Sequence, residues 1–310
     1  MKNLPKIAMG AWAWGDTDGY FGNTMTGEEF RSIFEAAVNA GLNLWDTATA
    51  YSNGESEKIL GKLVNDAGRE KIIVSTKFTP QMAGMYGDSV VKMCEASLER
   101  MNMEYFDIYW IHNPIGAPEY TKQLIPLLQS GKVKSVGVSN HDLAQIKEAD
   151  EILKAAGFRV SAVQNHYSLL NRSSEESGIL DYCKANDIVF YGYMTLEQGA
   201  LSGKYDAEHP FPEGSARAKV FNQMLQQIEV VTAELKKVAE AHGASAAQIA
   251  TAYAVNKGVL PILGVTKMYQ VEEAVKTADI VLTTEEAASL EAAADKSGVS
   301  SIQFWESKME

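Results

Sequence analysis

Short apolar runs alternate along this chain with longer stretches in which apolar side chains recur every three or four positions. The short runs read as strands. They are KIAMGA (6–11), LNLWD (42–46), KIIVST (71–76), FDIYWIH (106–112), VKSVGVS (133–139), VSAVQ (160–164), DIVFYGY (187–193) and VLPILG (259–264). Between the first two, TGEEFRSIFEAAVNAG puts Phe30, Ile33, Phe34, Ala37 and Val38 on one helical face, with Thr26 and Glu29 as a capping box and Gly41 as the stop. Ser52 and Glu55 have the same box spacing ahead of a second helix. Similar periodicity predicts helices over 88–101, 142–157, 175–187 and 226–243.

Strands alternating with helices imply parallel pairing through right-handed crossovers. Eight such units without a linker fit a closed (β/α)8 TIM barrel, a single α/β domain, better than an open doubly wound sheet. The open sheet also usually announces a dinucleotide site by GxGxxG after its first strand, and that pattern is missing here. The rhythm breaks once, from Leu201 to Phe221, after strand seven. A loop of that length in a compact domain is usually functional, the plain alternative being a tolerated surface insertion.

Composition narrows the class without naming it. The 310 residues are 46% hydrophobic and 22% charged, an ordinary balance for a large soluble core. Lys and Arg number 28 against 40 Asp and Glu, a net charge of −12 that argues against nucleic acid or an anionic membrane as partner. The first residues lack the basic start and apolar run of a signal peptide, and no stretch is long enough to span a bilayer, so a cytoplasmic location is the default expectation. Cys94 and Cys183 have no ligand-spaced neighbours and read as buried small hydrophobes, with no metal site implied.

In a parallel barrel the loops after the strand C-termini build the site. Strand two ends at Asp46, strand three at Lys77 and strand four at His112, while Tyr51 follows Asp46 by five residues. Each has a bland reading: a turn cap, a solvated lysine, a strand-end histidine, one tyrosine of 13. Together on one rim they suit proton donation to a carbonyl. A free tyrosine has a pKa of about 10, and a nearby ammonium favours the phenolate. An aspartate paired with that lysine keeps it charged and placed, and a histidine across the pocket can donate to the same carbonyl oxygen.

These residues resemble the aldo-keto reductases, from about Ile7 to Ala274. The motifs are D-T-A-x-x-Y-x-x-G-E at 46–55, S-T-K at 75–77, S-L-E-R-M-x-x-x-Y-F-D-I-Y-x-I-H-x-P at 97–114, G-K-V-x-x-x-G-V-S-N at 131–140 and V-Q-x-x-Y-S-L-L-N-R at 163–172. The resemblance implies a barrel enzyme that uses NADP(H), or NAD(H), to interconvert an aldehyde or ketone and its alcohol without a metal. It makes Tyr51 the general acid, with Lys77 and Asp46 lowering its pKa and His112 orienting the carbonyl. Ser139, Asn140 and Gln164 match the positions that hold the nicotinamide carboxamide, and Tyr193 the aromatic stacked on that ring. MTLEQGALSGK resembles the segment along the pyrophosphate. Met194, Thr195 and Leu196 stand there, with Lys204 as its cation, Arg217 as a second and the irregular loop as a strap. GVTKMYQVEEA resembles the adenosine side, with Gly264, Thr266, Gln270 and Glu273 at the ribose phosphate and adenine.

Trp12 and Trp14 stand where the family often places substrate-pocket aromatics, core packing being the alternative for both. Met194 and Thr195 replace the usual Ser-Pro, Ala274 an adenine-side asparagine, and Thr266 with Lys267 the usual arginine for the 2′-phosphate. His166 receives no role. A helical C-terminal tail is expected, and its end, VSSIQFWESKME, brings Phe304 and Trp305 either to the pocket or to a docking role. Two competing readings are a cofactor-sensing, non-catalytic subunit of the same family and a lyase or isomerase barrel. Substrate identity and oligomeric state are not assigned by the sequence.

Overall fold

Pleating sends successive strand residues to opposite faces, so a strand in a closed barrel has one stripe facing the bore and one facing the helices. The computed structural model describes every residue except Met1, Lys2, Asn3, Asp18, Asn23, Phe304, Trp305, Ser307, Lys308 and Glu310. Its strands are β1 (Ala8–Gly10), β2 (Leu44–Asp46), β3 (Ile73–Phe78), β4 (Phe106–Ile111), β5 (Val133–Ser139), β6 (Ala162–His166), β7 (Val189–Tyr193) and β8 (Leu260–Gly264). They pair in parallel in sequence order, and β8 closes on β1. All eight predicted runs are strands.

The first helices are α1 (Arg31–Asn39), α2 (Glu55–Ala67), α3 (Val90–Met101), α4 (Ala117–Lys122), α5 (Leu124–Ser130) and α6 (Leu143–Lys154). The others are α7 (Ser173–Glu176), α8 (Ile179–Ala185), α9 (Ala216–Phe221), α10 (Leu225–His242), α11 (Ala246–Asn256), α12 (Met268–Thr277) and α13 (Thr284–Ser297). Some local expectations are corrected. Thr26 donates its N–H and hydroxyl to the Glu29 carboxylate, at 2.7 and 2.8 Å, which closes a turn before α1 instead of opening the helix. The Ser52–Glu55 box does not form: Ser52, Asn53 and Gly54 are left-handed (φ 49°, 53° and 88°), and α2 starts behind Gly54 without a side-chain cap. The stretch 175–187 divides at Gly178, φ 79°. Among the helices the pattern did not announce, α11 is buried over most of its surface, so it has no polar face to mark its period. The final helix, α13, opens on a Thr283–Glu286 capping box and stops at Gly298, and the described residues of the tail beyond are not helical.

Two cores result. The larger lies between strands and helices and takes in Trp45, Val74, Tyr109 and both buried cysteines. The smaller plugs the bore with Ala8, Leu44, Ile108, Trp110, Ala162, Tyr191 and Leu260. Gly137 permits this plug, because a Cβ there would lie 2.4 Å from the Trp110 ring. One or two pleats further along the inward stripes, apolar residues give way to Asp46, Lys77, His112, Ser139, Gln164, His166 and Tyr193. The strand parity that fills the bore therefore also aims the polar groups at one rim. Among the described residues, no helix is long and apolar enough to cross a membrane.

Candidate active site

Ser75 and Lys77 are two apart on β3 and so share the inward face, where both meet Asp46 of the paired strand. The Ser75 hydroxyl donates to Asp46 Oδ1 at 2.5 Å, and Gln164 Nε2 donates to the same oxygen at 3.3 Å. Lys77 Nζ donates to Asp46 Oδ2 at 2.5 Å, to the Thr47 carbonyl at 2.8 Å and to the Tyr51 hydroxyl oxygen at 3.2 Å. An ammonium has three hydrogens and no acceptor. Tyr51 must therefore receive from Lys77, which leaves the phenolic hydrogen for a group in the cavity.

Residue 76 points the other way. Thr76 donates to buried Glu57 at 2.6 Å, Glu57 pairs with Arg100, and Arg100 lies against Gly54 so closely that a Cβ there would sit 2.7 Å from its Nε. This outer network holds the left-handed turn that carries Tyr51 away from β2.

Lys77 is fully buried, and although burial opposes its charge, Asp46 and Tyr51 outweigh that and raise its pKa. The Tyr51 pKa is also raised, chiefly by burial; Lys77 lowers it, but the Asp46 carboxylate adds to the rise. The expectation that Lys77 and Asp46 both lower it is thus corrected. Asp46 acts on the lysine favourably and on the phenol unfavourably. His112 is pushed down to about 3 by burial first and Lys77 second, so its ring is neutral at neutral pH. Its Nδ1 lies 3.1 Å from the Thr79 hydroxyl; a hydrogen bond donated by Thr79 leaves the ring proton on Nε2.

A cavity of about 800 Å³ runs over this rim. Tyr51, His112, Ser139, Asn140, Gln164 and Tyr193 line it at the end above Lys77, with Asp46 at its base. Trp12 forms a wall there, its ring stacked on Tyr51 at 5.7 Å and on Tyr20 at 5.3 Å. Met194, Thr195, Leu196, Lys204 and Arg217 line the middle, and Gly264, Thr266, Gln270 and Glu273 belong to the part formed by β8 and α12. The irregular loop packs on its own aromatics, Tyr205 and Phe211 stacking at 3.8 Å. It is tied to the loop after β1 by Arg217 to the Phe21 carbonyl (3.4 Å), and the turn just before it by Gln198 to the Tyr20 hydroxyl (3.0 Å). Ser202, Lys204, Tyr205 and Arg217 of this segment line the cavity.

An extended anionic group fits this lining. Among the described residues Lys204 and Arg217 have no carboxylate partner, and Arg217 Nε is buried without an acceptor. At the far end the Gln270 side chain accepts from the N–H groups of Thr266 and Lys267, at 2.7 and 2.9 Å, so it closes the start of α12. Asn140 and Met194 are both left-handed (φ 61° and 60°), a strained backbone of the kind that gathers at binding sites.

The aldo/keto reductase family model matches residues 6–295. The chain belongs to that family. A chloroplastic pyridoxal reductase of Arabidopsis thaliana is 30% identical, over 97% of this chain and 86% of its own. An aldo-keto reductase of Schizosaccharomyces pombe, named for NADP(+), is 29% identical over 79% of this chain and 76% of its own. Among solved structures, a glycerol dehydrogenase from Gluconobacter oxydans superposes with a TM-score of 0.79 at 26% identity, covering 94% and 92% of the two chains. An aldo/keto reductase from Klebsiella pneumoniae, in complex with NADP and acetate, has a TM-score of 0.74 at 23% identity over 99% and 95%, a likeness of fold. The family is one of oxidoreductases.

Of the described residues given a catalytic, cofactor or substrate role by the sequence, all but two line the cavity. Lys77 lies beneath it, in contact with Tyr51. Trp14 is the correction: it is fully buried, donates Nε1 to the Val265 carbonyl at 2.8 Å and packs on Phe30 and Trp45, so it belongs to the core and not to a substrate wall. Phe304 and Trp305 lie outside the described residues. What sequence reading missed is His166, which shares the inward parity of Gln164 and stacks on Tyr193 at 5.5 Å. It touches Glu197 and Glu306, neither of which any motif marks.

Proposed function

We propose that the protein reduces an aldehyde or ketone with hydride from NADPH, NADH being the second candidate donor, and with the proton from Tyr51. The observation that carries this reading is the direction of the Lys77–Tyr51 hydrogen bond. The ammonium can only donate, so the phenol keeps its hydrogen and turns it toward the cavity. Its raised pKa keeps that hydrogen in place at neutral pH. As the carbonyl oxygen gains charge, neutral His112 holds it by a hydrogen bond and Tyr51 gives up its proton. The phenolate left behind faces the Lys77 ammonium, which Asp46 fixes. Trp12 and the aromatics beside it keep water from that side of the carbonyl.

When bound, the dinucleotide supplies the hydride. Ser139, Asn140, Gln164 and Tyr193 would hold its nicotinamide end. Met194, Thr195, Leu196, Lys204 and Arg217 would follow the phosphates, and Gly264, Thr266, Gln270 and Glu273 the adenosine. Lys204 and Arg217, which have no carboxylate partner among the described residues, support this, as does the relative named for NADP(+). The test follows NADPH oxidation by the purified chain over a panel of simple aldehydes and ketones, with Tyr51→Phe as control. Carbonyl-dependent oxidation that the substitution abolishes is the expected result. Tight NADPH binding with no oxidation of any carbonyl would overturn it in favour of a cofactor-sensing subunit.

A further inference from the structure

A second buried acid–base cluster ties the C-terminal segment to the rim of the cavity. Glu306 Oε1 accepts from the Tyr193 hydroxyl at 2.6 Å, while Oε2 lies 2.9 Å from His166 Nδ1 and 3.0 Å from the Gln303 N–H. On the other side of the imidazole, Nε2 is 2.8 Å from Glu197 Oε1, which also accepts from Ser168 and, at 2.9 Å, from Ser301 of the same segment. The side chains of Glu197, His166 and Glu306 are 0%, 3% and 2% exposed. An imidazole between two carboxylates can serve both only by donating from both nitrogens, which requires the cation. Burial opposes that charge, but the two carboxylates outweigh it and raise the His166 pKa to about 10.

The cluster reaches the proposed reaction site through Tyr193. The one Tyr193 hydroxyl hydrogen faces two acceptors, Glu306 Oε1 and, at 2.5 Å from the hydroxyl oxygen, Asn140 Oδ1, which therefore share it, and Asn140 Nδ2 donates to the His112 carbonyl at 2.9 Å. The Tyr193 ring lies nearly parallel to that of His166, 25° apart. One end of this chain of contacts is thus the tail, and the other is the strand end that presents His112. A phenol, a histidine and an asparagine lining the nicotinamide end are held by a residue near the end of the sequence.

We propose that Glu306, with His166 as the cation that anchors it, is a positioning residue for the Tyr193 ring and the Asn140 amide, so that the cofactor end of the cavity is complete only when the C-terminal segment is docked. This rests on the reading of the cavity as a nicotinamide site. The acid acts at a distance from the reacting carbonyl, by holding what the cofactor would lie against.

The experiment measures NADPH affinity by fluorescence titration of the full chain, and melting temperature alongside, for the native protein, Glu306→Gln, Glu306→Ala, Tyr193→Phe and the Glu306→Ala/Tyr193→Phe pair. We expect each single substitution to weaken NADPH binding about tenfold with little change in melting, and the pair to be no worse than either alone, because both break one contact. Glu306→Gln keeps the shape without the charge and should fall with Glu306→Ala. Equal affinity in the native protein and both Glu306 variants, or losses that simply multiply in the pair, would leave Glu306 as a tail-packing residue and overturn the proposal while the carbonyl-reductase reading stands. Failure of the native protein to bind NADPH would sink both.

Discussion

Asp46–Lys77–Tyr51 and Glu306–His166–Tyr193 use nearly the same parts and put them to opposite ends. Each sets a buried cation and a tyrosine hydroxyl against a carboxylate. In the first, the lysine donates to the phenol oxygen and the phenol hydrogen stays free. In the second, the carboxylate accepts from the phenol, and the hydrogen is used up within the protein. One tyrosine is left able to give a proton; the other is held as a fixed ring. The clusters also differ in what titrates: a lysine keeps its charge far above neutrality, whereas His166 owes its charge to its neighbours.

The sharpest way to break this contrast is to remove the two hydroxyls in turn. Tyr51→Phe should lower kcat by about 10²–10⁴, the usual scale for losing a general acid, with NADPH affinity almost unchanged. Tyr193→Phe should instead act mainly through affinity. Equal losses of kcat from both would erase the distinction. Next in size is Lys77→Met, which leaves Asp46 buried without its cation. By the usual cost of breaking a buried pair it should lower unfolding free energy by about 3–5 kcal/mol, read by urea denaturation, besides crippling turnover. A stable Lys77→Met protein would show that Ser75 and Gln164 alone satisfy the carboxylate.

Asp46→Asn should cost less activity than Tyr51→Phe, since the amide oxygen can still accept from Lys77 and its neutrality removes a charge that raises the Tyr51 pKa. The comparison of kcat values decides it, and a loss as deep as that of Tyr51→Phe would contradict the indirect role. The smallest effect is one of pH. His166 has a raised pKa, so its contribution to tail docking is complete below its ordinary 6.5 and is lost as pH rises through about 10. Glu306 is depressed below 4.5, so its share is present above that value and lost as pH falls through its lowered pKa. The groups facing the imidazole are Glu197, Glu306 and Tyr193, the last with a pKa raised well above 10 and so neutral throughout. Docking should be firmest between 4.5 and 6.5 and loosen on the alkaline side, as NMR signals of residues 299–303 would show. Signals that hold steady from neutrality to above pH 10 would mean the imidazolium does not anchor the tail.

What could be read in advance follows from distance along the chain. Asp46, Tyr51 and Lys77 lie within 32 residues, at or just after the ends of neighbouring strands, so the repeat pattern alone put them on one rim. His166 carried the same signal of parity, two residues beyond Gln164, but a histidine at a strand end has no meaning until its partners are known. Glu306 lies 140 residues from His166 in sequence, and only the docked tail brings the two together. Trp14 shows the reverse. Its neighbour Trp12 is in the wall of the cavity while it is sealed in the core, because the turn after β1 rotates the two rings to opposite sides.

Sequence by itself determined the eight-fold alternation, the closed barrel and the strand ends that carry Asp46, Lys77 and His112, since these depend on local periodicity and on pleating. The tertiary structure alone decided the conformation of the Ser52–Gly54 turn, the direction of the Lys77–Tyr51 hydrogen bond and the burial of an imidazole between two acids. Those depend on which surfaces exclude water from which charges, and that is fixed only when distant segments pack.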